Sequence, residues 1–287
     1  MKKPGMGFHV SISGGLPRAI ERGRERQATA LQIFCDNPRT WKPHPRPDEE
    51  IERFRSAREE ADLSPLIVHA SYLVNPASPE PEVHRKTIDR LAFELDLSEE
   101  IGADYYVLHP GSRKGQSINE GIERTARTLV LAAQKATDNP TLLLENTAGD
   151  YGPGGDFREL QAVIEKLDAA DAISETGIAV DSCHAFAAGY DFRQPEEVER
   201  LINDVDRTVG RAKLQLLHAN DSRDPAGSGR DRHEHLGEGQ IGLEGLKNLF
   251  GHRALSGLPI ILETPWESVE RDRQNIHTLR QILNVNE

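Results

Sequence analysis

TGIAVDSCHAFAAGYD, residues 176–191, sets a core-like strand against an abrupt polar stop. TGIAV has the apolar, branched character of a strand covered on both faces, yet it ends on Asp181, with His184 three positions later. On a continuing strand, positions three apart face opposite sides. If the strand stops at Asp181 and the chain bends, both side chains can turn toward one point above the strand end. That arrangement suits a pair of metal ligands, although a single Asp-x-x-His taken alone is better explained by a cap or a satisfied core histidine. Whether the other strands end in the same way decides both the fold and the chemistry.

Seven further apolar runs of strand size accompany this one. In order, the eight are GFHVS (7–11), LQIFC (31–35), PLIVHA (65–70), YYVLHP (105–110), TLLLEN (141–146), GIAVDS (177–182), LQLLHAND (214–221) and PIILET (259–264). None shows the strict alternation of a half-exposed strand, so both faces of each are expected to be buried. The sequence between them is polar and helix-favouring. VHRKTIDRLAFELDLSEEIGAD (83–104) carries apolar residues at helical spacing, with Gly102 placed to end it. PEEVERLINDVDRTVG (195–210) opens on Pro195 and closes on Gly210. Eight strand–helix units in series describe an α/β fold, a single-domain (β/α)8 TIM barrel spanning 1–287, and an open doubly wound sheet is the less regular alternative.

The composition agrees with a globular chain, and 287 residues can bury a barrel-sized core. MKKPGMGFHV lacks the apolar run of a signal peptide, and no later stretch is long enough to span a membrane. Cys35 and Cys183 are far from any CxxC or disulfide framework, so a reducing, cytoplasmic location is expected. The net charge of −12 argues against coating nucleic acid by bulk electrostatics. Three bound divalent ions would change that to −6 (−12 plus 6) and concentrate positive charge at one place.

In a barrel of this kind the chemistry sits at the C-terminal ends of the strands. Those ends carry His9, His69, His109, Glu145, Asp181, His218 and Glu263, and every strand from the third to the eighth contributes one. Each alone has an ordinary explanation, but the series together reads as a His/Asp/Glu cluster converging on one face. Imidazole and carboxylate without thiolate suit zinc, manganese or iron better than magnesium or calcium. Carboxylates also bridge ions, and paired ions clamp phosphoryl displacement. DRHEHLGEG (231–239) adds Asp231, His233 and His235 at alternating positions, which an extended chain would point the same way. GEGQIG (237–242) matches a dinucleotide-binding glycine pattern literally, but DRHEHL before it is no core strand. Cys183 beside His184 makes no catalytic dyad, and GPGGD (152–156) lacks the lysine of a phosphate loop.

HASYLVN (69–75), LHPGS (108–112), LENTAG (144–149), DSCHAFAAGYD (181–191), LHANDS (217–222), DRHEHLGEG (231–239) and ILET (261–264), with GFHVSISGGL (7–16) at the start, together resemble endonuclease IV, the zinc-dependent apurinic/apyrimidinic endonuclease family. The resemblance implies a trinuclear zinc site, with manganese an alternative at one position. His69, His109 and Glu145 would hold one ion. Glu145, Asp181, His218 and Glu263 would hold the second, and His184, Asp231 and His233 the third. It further implies hydrolysis of the phosphodiester 5′ of abasic sites in double-stranded DNA, leaving a 3′-hydroxyl and a 5′-deoxyribose phosphate, together with trimming of blocked 3′ ends. Glu145 and Glu263 are the carboxylates expected to position or activate the attacking hydroxide. Arg39 in DNPRTW (36–41), and Tyr72 and Leu73 in SYLVN (71–75), match positions that enter the duplex. The family acts as a monomer without a membrane partner. His9 and His235 lie outside the implied ligand set.

Two other readings compete. Glu145, Asp181, His218 and Glu263 alone resemble the single-metal set of xylose-isomerase-like barrels acting on sugars, which leaves His69, His109, His184, Asp231 and His233 without a role. A non-catalytic binding module for damaged DNA would require closed, protein-only coordination.

Overall fold

A computed structural model describes residues 4–149 and 151–285. Eight parallel strands close into a barrel. They are β1 (Met6–His9), β2 (Ala30–Ile33), β3 (Leu66–His69), β4 (Tyr105–Leu108), β5 (Thr141–Glu145), β6 (Thr176–Asp181), β7 (Leu214–His218) and, after an inserted hairpin of β8 (Asp221–Ser222) and β9 (His233–Glu234), β10 (Ile260–Leu262). Neighbours follow chain order, and β1 pairs with both β2 and β10, which excludes the open sheet. All eight apolar runs form strands. Helices α1 (Pro17–Glu25), α2 (Asp48–Glu60), α3 (Pro81–Glu100), α4 (Ile118–Lys135) and α5 (Phe157–Ala170) return the chain between successive strands. A short α6 (Ser182–Ala187) precedes α7 (Pro195–Arg207), and α8 (Gly242–Phe250) and α9 (Val269–Ile282) complete the outer ring.

The strands alternate between two cores, as period-2 geometry requires. Leu31, Ile33, Leu66, Val68, Leu142 and Leu144 pack outward against the helices. Ala30, Ile67, Val107, Leu143, Ala179, Leu216 and Ile261 form a separate apolar layer inside the barrel, one residue from each strand except β1. β1 supplies Gly7 at the position paired with Ala30. A Cβ on Gly7 would lie 1.8 Å from the Ala30 carbonyl oxygen, so only glycine lets the first two strands meet there.

The two helices read from sequence form with shorter C-terminal ends, and α3 begins two residues earlier, at Pro81. α3 stops at Glu100 because Gly102 (φ 74°) turns the chain and Asp104 N–H already donates to the Leu66 carbonyl, 2.9 Å away. α7 stops at Arg207, before Gly210 (φ 87°). The segment 231–235 is not extended throughout. Its strand β9 covers only His233–Glu234 and pairs antiparallel with β8.

GEGQIG, just beyond β9, wraps around a carboxylate of its own chain. Asp221 is fully buried and accepts hydrogen bonds from the backbone N–H groups of Ser222 (2.8 Å), Gly237 (3.0 Å), Ile241 (2.9 Å) and Gly242 (3.1 Å). A Cβ at Gly239 would lie 2.5 Å from Asp221 Oδ1, so this glycine is fixed by the carboxylate rather than by a nucleotide phosphate. Asp221→Asn keeps the volume but sets an NH2 group against N–H donors. It is expected to cost about 1–3 kcal/mol, the penalty for a buried polar group left unpaired, read as a lower urea midpoint.

Candidate metal centre and active-site cavity

Two residues beyond each member of the inner apolar layer, the side chain again points into the barrel, and there the chemistry changes. Ile67 is followed by His69, Val107 by His109, Leu143 by Glu145, Ala179 by Asp181, Leu216 by His218 and Ile261 by Glu263. Gly7 leads in the same way to His9 and Ala30 to Gln32. One polar layer caps one apolar layer at the C-terminal face.

Within it the structure brings His69, His109 and Glu145 together, and Glu145, Asp181, His218 and Glu263, each set with potential ligand atoms within 4.8 Å of one another. Glu145 belongs to both. Its Oε2 lies 3.3 Å from His69 Nε2 and 3.1 Å from His109 Nε2, and its Oε1 lies 2.9 Å from His218 Nδ1. The third group forms where the β6 end meets the inserted hairpin. Asp231 lies 3.2 Å from His184 Nε2 and 3.0 Å from His233 Nε2. Asp181 reaches this group too, 3.8 Å from His233 Nε2, so it stands between two clusters. Asp181 and His184 do turn toward one region: Asp181 caps α6 by accepting the His184 backbone N–H, 2.8 Å away, and that first turn swings the imidazole inward.

The histidines are oriented by what their second nitrogens touch. Backbone carbonyls only accept, so His69 Nδ1 donates to Ala70 O (2.8 Å), His184 Nδ1 to Asn146 O (2.9 Å) and His233 Nδ1 to Glu263 O (3.1 Å). Each Nε2 is thereby left facing the carboxylates. His218 is reversed. Gln32 aims its NH2 at Glu263 Oε1 (2.6 Å), so its carbonyl oxygen faces His218 Nε2 (2.9 Å) and accepts that proton, freeing Nδ1. Such outer hydrogen bonds fix the tautomer that a metal needs. The donor set therefore fits divalent zinc: neutral imidazoles with directed lone pairs, bridging carboxylates and no ionised thiol. Cys183 Sγ comes near Asp231 and His233, but burial pushes its thiol up to about 12.

The same crowding shifts the ionisation of several of these groups. Burial disfavours the charged form of His218, yet Glu263 and Glu145 outweigh it and raise its pKa to about 9. His233 is raised to about 9 against burial by Asp181 and Asp231. Burial works against ionisation of Glu145 too, but His218 and His109 hold it well below the usual carboxylate range. Glu263 is lowered similarly, against burial, chiefly by His218.

The cluster opens into a cavity of ≈ 620 Å³ whose wall includes Phe34, Tyr72, Tyr151 and Gly229. Glu145 is closed off from it (0% exposed), whereas the Glu263 side chain is 16% exposed. Tyr72 is 69% exposed at the rim, its ring 4.8 Å from that of Phe34. Arg39 is exposed and Leu73 half-buried, and both sit outside the cavity wall on the loops after β2 and β3. His9 lines the cavity, contacts Gln32 (3.0 Å) and approaches Glu263 Oε1 (3.4 Å), without joining a metal-type group itself. His235 turns away: it is buried against Asn275 (2.9 Å) and Glu267 (3.2 Å), because β9 ends at Glu234.

Sequence reasoning passed over four residues. Gln32 carries no charge, and only its place two beyond Ala30 could have flagged it. Asn146 and Asn220 hold Asp181 and Glu263: the Asp181 N–H donates to Asn146 Oδ1 (2.7 Å), Asn220 Nδ2 to Asp181 Oδ2 (2.5 Å) and the Glu263 N–H to Asn220 Oδ1 (3.0 Å). Both follow closely on strand ends that carry candidate ligands, in LEN and HAN. Tyr151, 67% exposed on the cavity wall, had no sequence signal beyond an aromatic in a glycine-rich loop.

A model of the xylose isomerase-like TIM barrel family matches residues 20–283. The "probable endonuclease 4" of Halothermothrix orenii is 40% identical over 278 residues, covering 96% of this chain and 99% of that protein. The protein of the same name from Methanoculleus marisnigri is 37% identical over 279 residues, covering 96% and 98%. The crystal structure of endonuclease IV from Thermus thermophilus superposes with a TM-score of 0.86 at 36% identity, covering 98% of this chain and 99% of that one. A D-tagatose 3-epimerase-like protein, 24% identical with a TM-score of 0.70, shares the barrel alone; the superposition covers 97% of each chain. With relatives aligned over nearly their whole lengths, and a polar layer at the strand ends where the fold places its chemistry, the chain belongs to the endonuclease IV family of xylose isomerase-like TIM barrels.

Proposed function

We propose that this protein, acting through residues 1–287 as one domain and as a monomer, is a DNA-repair hydrolase. It cuts the phosphodiester 5′ of abasic sites in duplex DNA, leaving a 3′-hydroxyl and a 5′-deoxyribose phosphate, and trims blocked 3′ ends. The observation that carries this reading is the polar layer itself: three ligand groups joined through Glu145 and Asp181 at the floor of one cavity. A single-metal sugar site would use four of these side chains and leave the other five, gathered around the same cavity, without purpose.

His69, His109 and Glu145 would hold one zinc ion, Glu145, Asp181, His218 and Glu263 a second, and His184, Asp231 and His233 a third, with manganese an alternative at one position. Bound zinc supplies Lewis-acid charge that makes water acidic near neutral pH and stabilises a leaving alkoxide. The protein's own groups do the rest. Glu263, facing the cavity and held by Gln32, orients the attacking water and takes its proton. The water oxygen adds to phosphorus as the bond from phosphorus to the 3′ oxygen of the preceding nucleotide breaks, and that oxygen takes a proton from solvent to become the 3′-hydroxyl. Glu145, enclosed among imidazoles, fixes the position of that exchange. Tyr72 and Leu73 probe the base stack and Arg39 steadies the strand. Arg39, Lys42 and Arg46 lie between β2 and α2, and Lys114 between β4 and α4. Three bound divalent ions at the cavity would set positive charge there and reconcile a −12 chain with a polyanionic substrate.

The reading is tested on a duplex carrying one tetrahydrofuran abasic analogue, which resists β-elimination. Incision on its 5′ side, lost after prolonged chelation and restored by zinc, is expected. An uncut duplex with metal-replete protein would overturn the reading. Glu263→Gln is expected to lower turnover by about 10²-fold or more with duplex affinity retained, checked by single-turnover kinetics beside a binding isotherm. The metal-free protein should show an inverted pH response. His218 and His233 are raised from 6.5 to about 9, so their stabilising contribution is complete below pH 6.5 and lost as pH rises through 9. Zinc requires the same imidazoles neutral, so its affinity should rise over that interval. Urea midpoints of stripped protein, set against zinc–chelator competition, should therefore run in opposite directions.

A further inference from the structure

Beneath the cavity rim lies a buried ionic network that none of the metal-type groups shares. Arg90 on α3 is 2% exposed, and its guanidinium is divided between a loop and its own helix. Nη1 donates to Asp36 Oδ2 (2.8 Å) and Nη2 to the Asn37 carbonyl (3.3 Å), both on the segment after β2 that carries Arg39. Nε donates to Glu94 Oε1 (2.7 Å), one helical turn along α3. The other Glu94 oxygen accepts the Tyr106 hydroxyl (2.6 Å) and the backbone N–H of Ser71 (3.3 Å), the residue before Tyr72. Asp36 also accepts the His44 backbone N–H (3.1 Å), so the segment that holds Arg39 is fastened on both sides of it.

The electrostatics make Arg90 the shared centre of this arrangement. Asp36, Glu94 and Tyr106 are each buried to within 2% of full enclosure. Among the described residues, Arg90 is the one cation bonded to both carboxylates; Arg46 approaches Asp36 only to 3.7 Å, and the half-exposed His44 imidazole lies 3.3 Å from it. A buried ion pair is weak evidence for stability, but removing one partner strands a charge away from water. Without the guanidinium, Asp36 and Glu94 would be drawn toward solvent, each pulling the loop bonded to it. A lysine could retain the charge but has no planar fork to reach Asp36, Asn37 and Glu94 together.

We propose that Arg90 and Glu94 are positioning residues that lock the Arg39 segment and the Tyr72 segment at a fixed separation, so that recognition of the abasic duplex depends on a salt bridge touching neither DNA nor metal. This rests on the function proposed above. Rigid placement of probing groups is paid in advance of binding, so loosening it weakens association rather than the chemical step.

Arg90→Lys and Arg90→Met are compared with wild type, all metal-replete. KM for the tetrahydrofuran duplex is expected to rise about tenfold in both, with kcat within about twofold and zinc content unchanged. Amide hydrogen exchange should accelerate together in residues 36–46 and 71–75. A merely structural role predicts the reverse split: kcat and zinc content fall with the folded fraction while KM holds, and Arg90→Lys behaves as wild type. If Arg90→Met fails to fold, Arg90→Lys and Glu94→Gln decide the matter. Unaltered KM, or exchange that changes in only one segment, overturns the clamp. Wild-type protein that leaves the duplex uncut overturns the endonuclease reading instead, and the exchange of the two segments still decides whether they are coupled.

Discussion

The interior register of the barrel is the constraint on which everything else depends. Parallel pairing with a side-chain period of two means that a strand placing an aliphatic residue in the inner layer must aim the residue two positions later into the same interior. Ile67 with His69, Leu143 with Glu145 and Ile261 with Glu263 are single decisions rather than pairs of them. A one-residue slip in any strand would turn its ligand outward among helices while burying an outward leucine in its place. The apolar layer therefore indexes the polar one, and close approaches such as Gly7 against Ala30 hold that index.

Above the register sits a second level of control made of uncharged groups. Carbonyls of Ala70, Asn146 and Glu263 and the amide of Gln32 settle which nitrogen of each imidazole is free. Asn146 and Asn220 hold the carboxylates from behind. Charges draw attention in a site of this kind, but neutral acceptors give the charges their direction. Arg90 does for the rim loops what these groups do for the floor, with a buried ion pair in place of amides.

The eight strands, the closed barrel and the series of polar residues at the strand ends were legible because they repeat: an apolar run, then one polar residue, with helix-forming sequence between. What escaped reading was non-repetitive. Gln32 occupies a ligand-layer position but, being neutral, looked like an ordinary polar residue in LQIFC. DRHEH offered three alternating side chains, yet its strand lasts only two residues before the chain turns around Asp221, and His235 is drawn into packing against α9. That turn is held by the buried Asp221 carboxylate, back in LHAND, through a tertiary contact invisible to local pattern. GEGQIG shows the same principle in reverse: its glycines fit an anion, and the anion is the protein's own.

The position of β10 in the chain carries a consequence for biosynthesis. It is the strand that joins β7 to β1, and Glu263 follows it directly. A nascent polypeptide emerging from the ribosome can hold Glu145, Asp181 and His218 near one another while the barrel is still open, but it has no Glu263 until the final closure. Assembly of the centre and completion of the fold are the same event, so truncated or half-made chains cannot carry a finished nuclease.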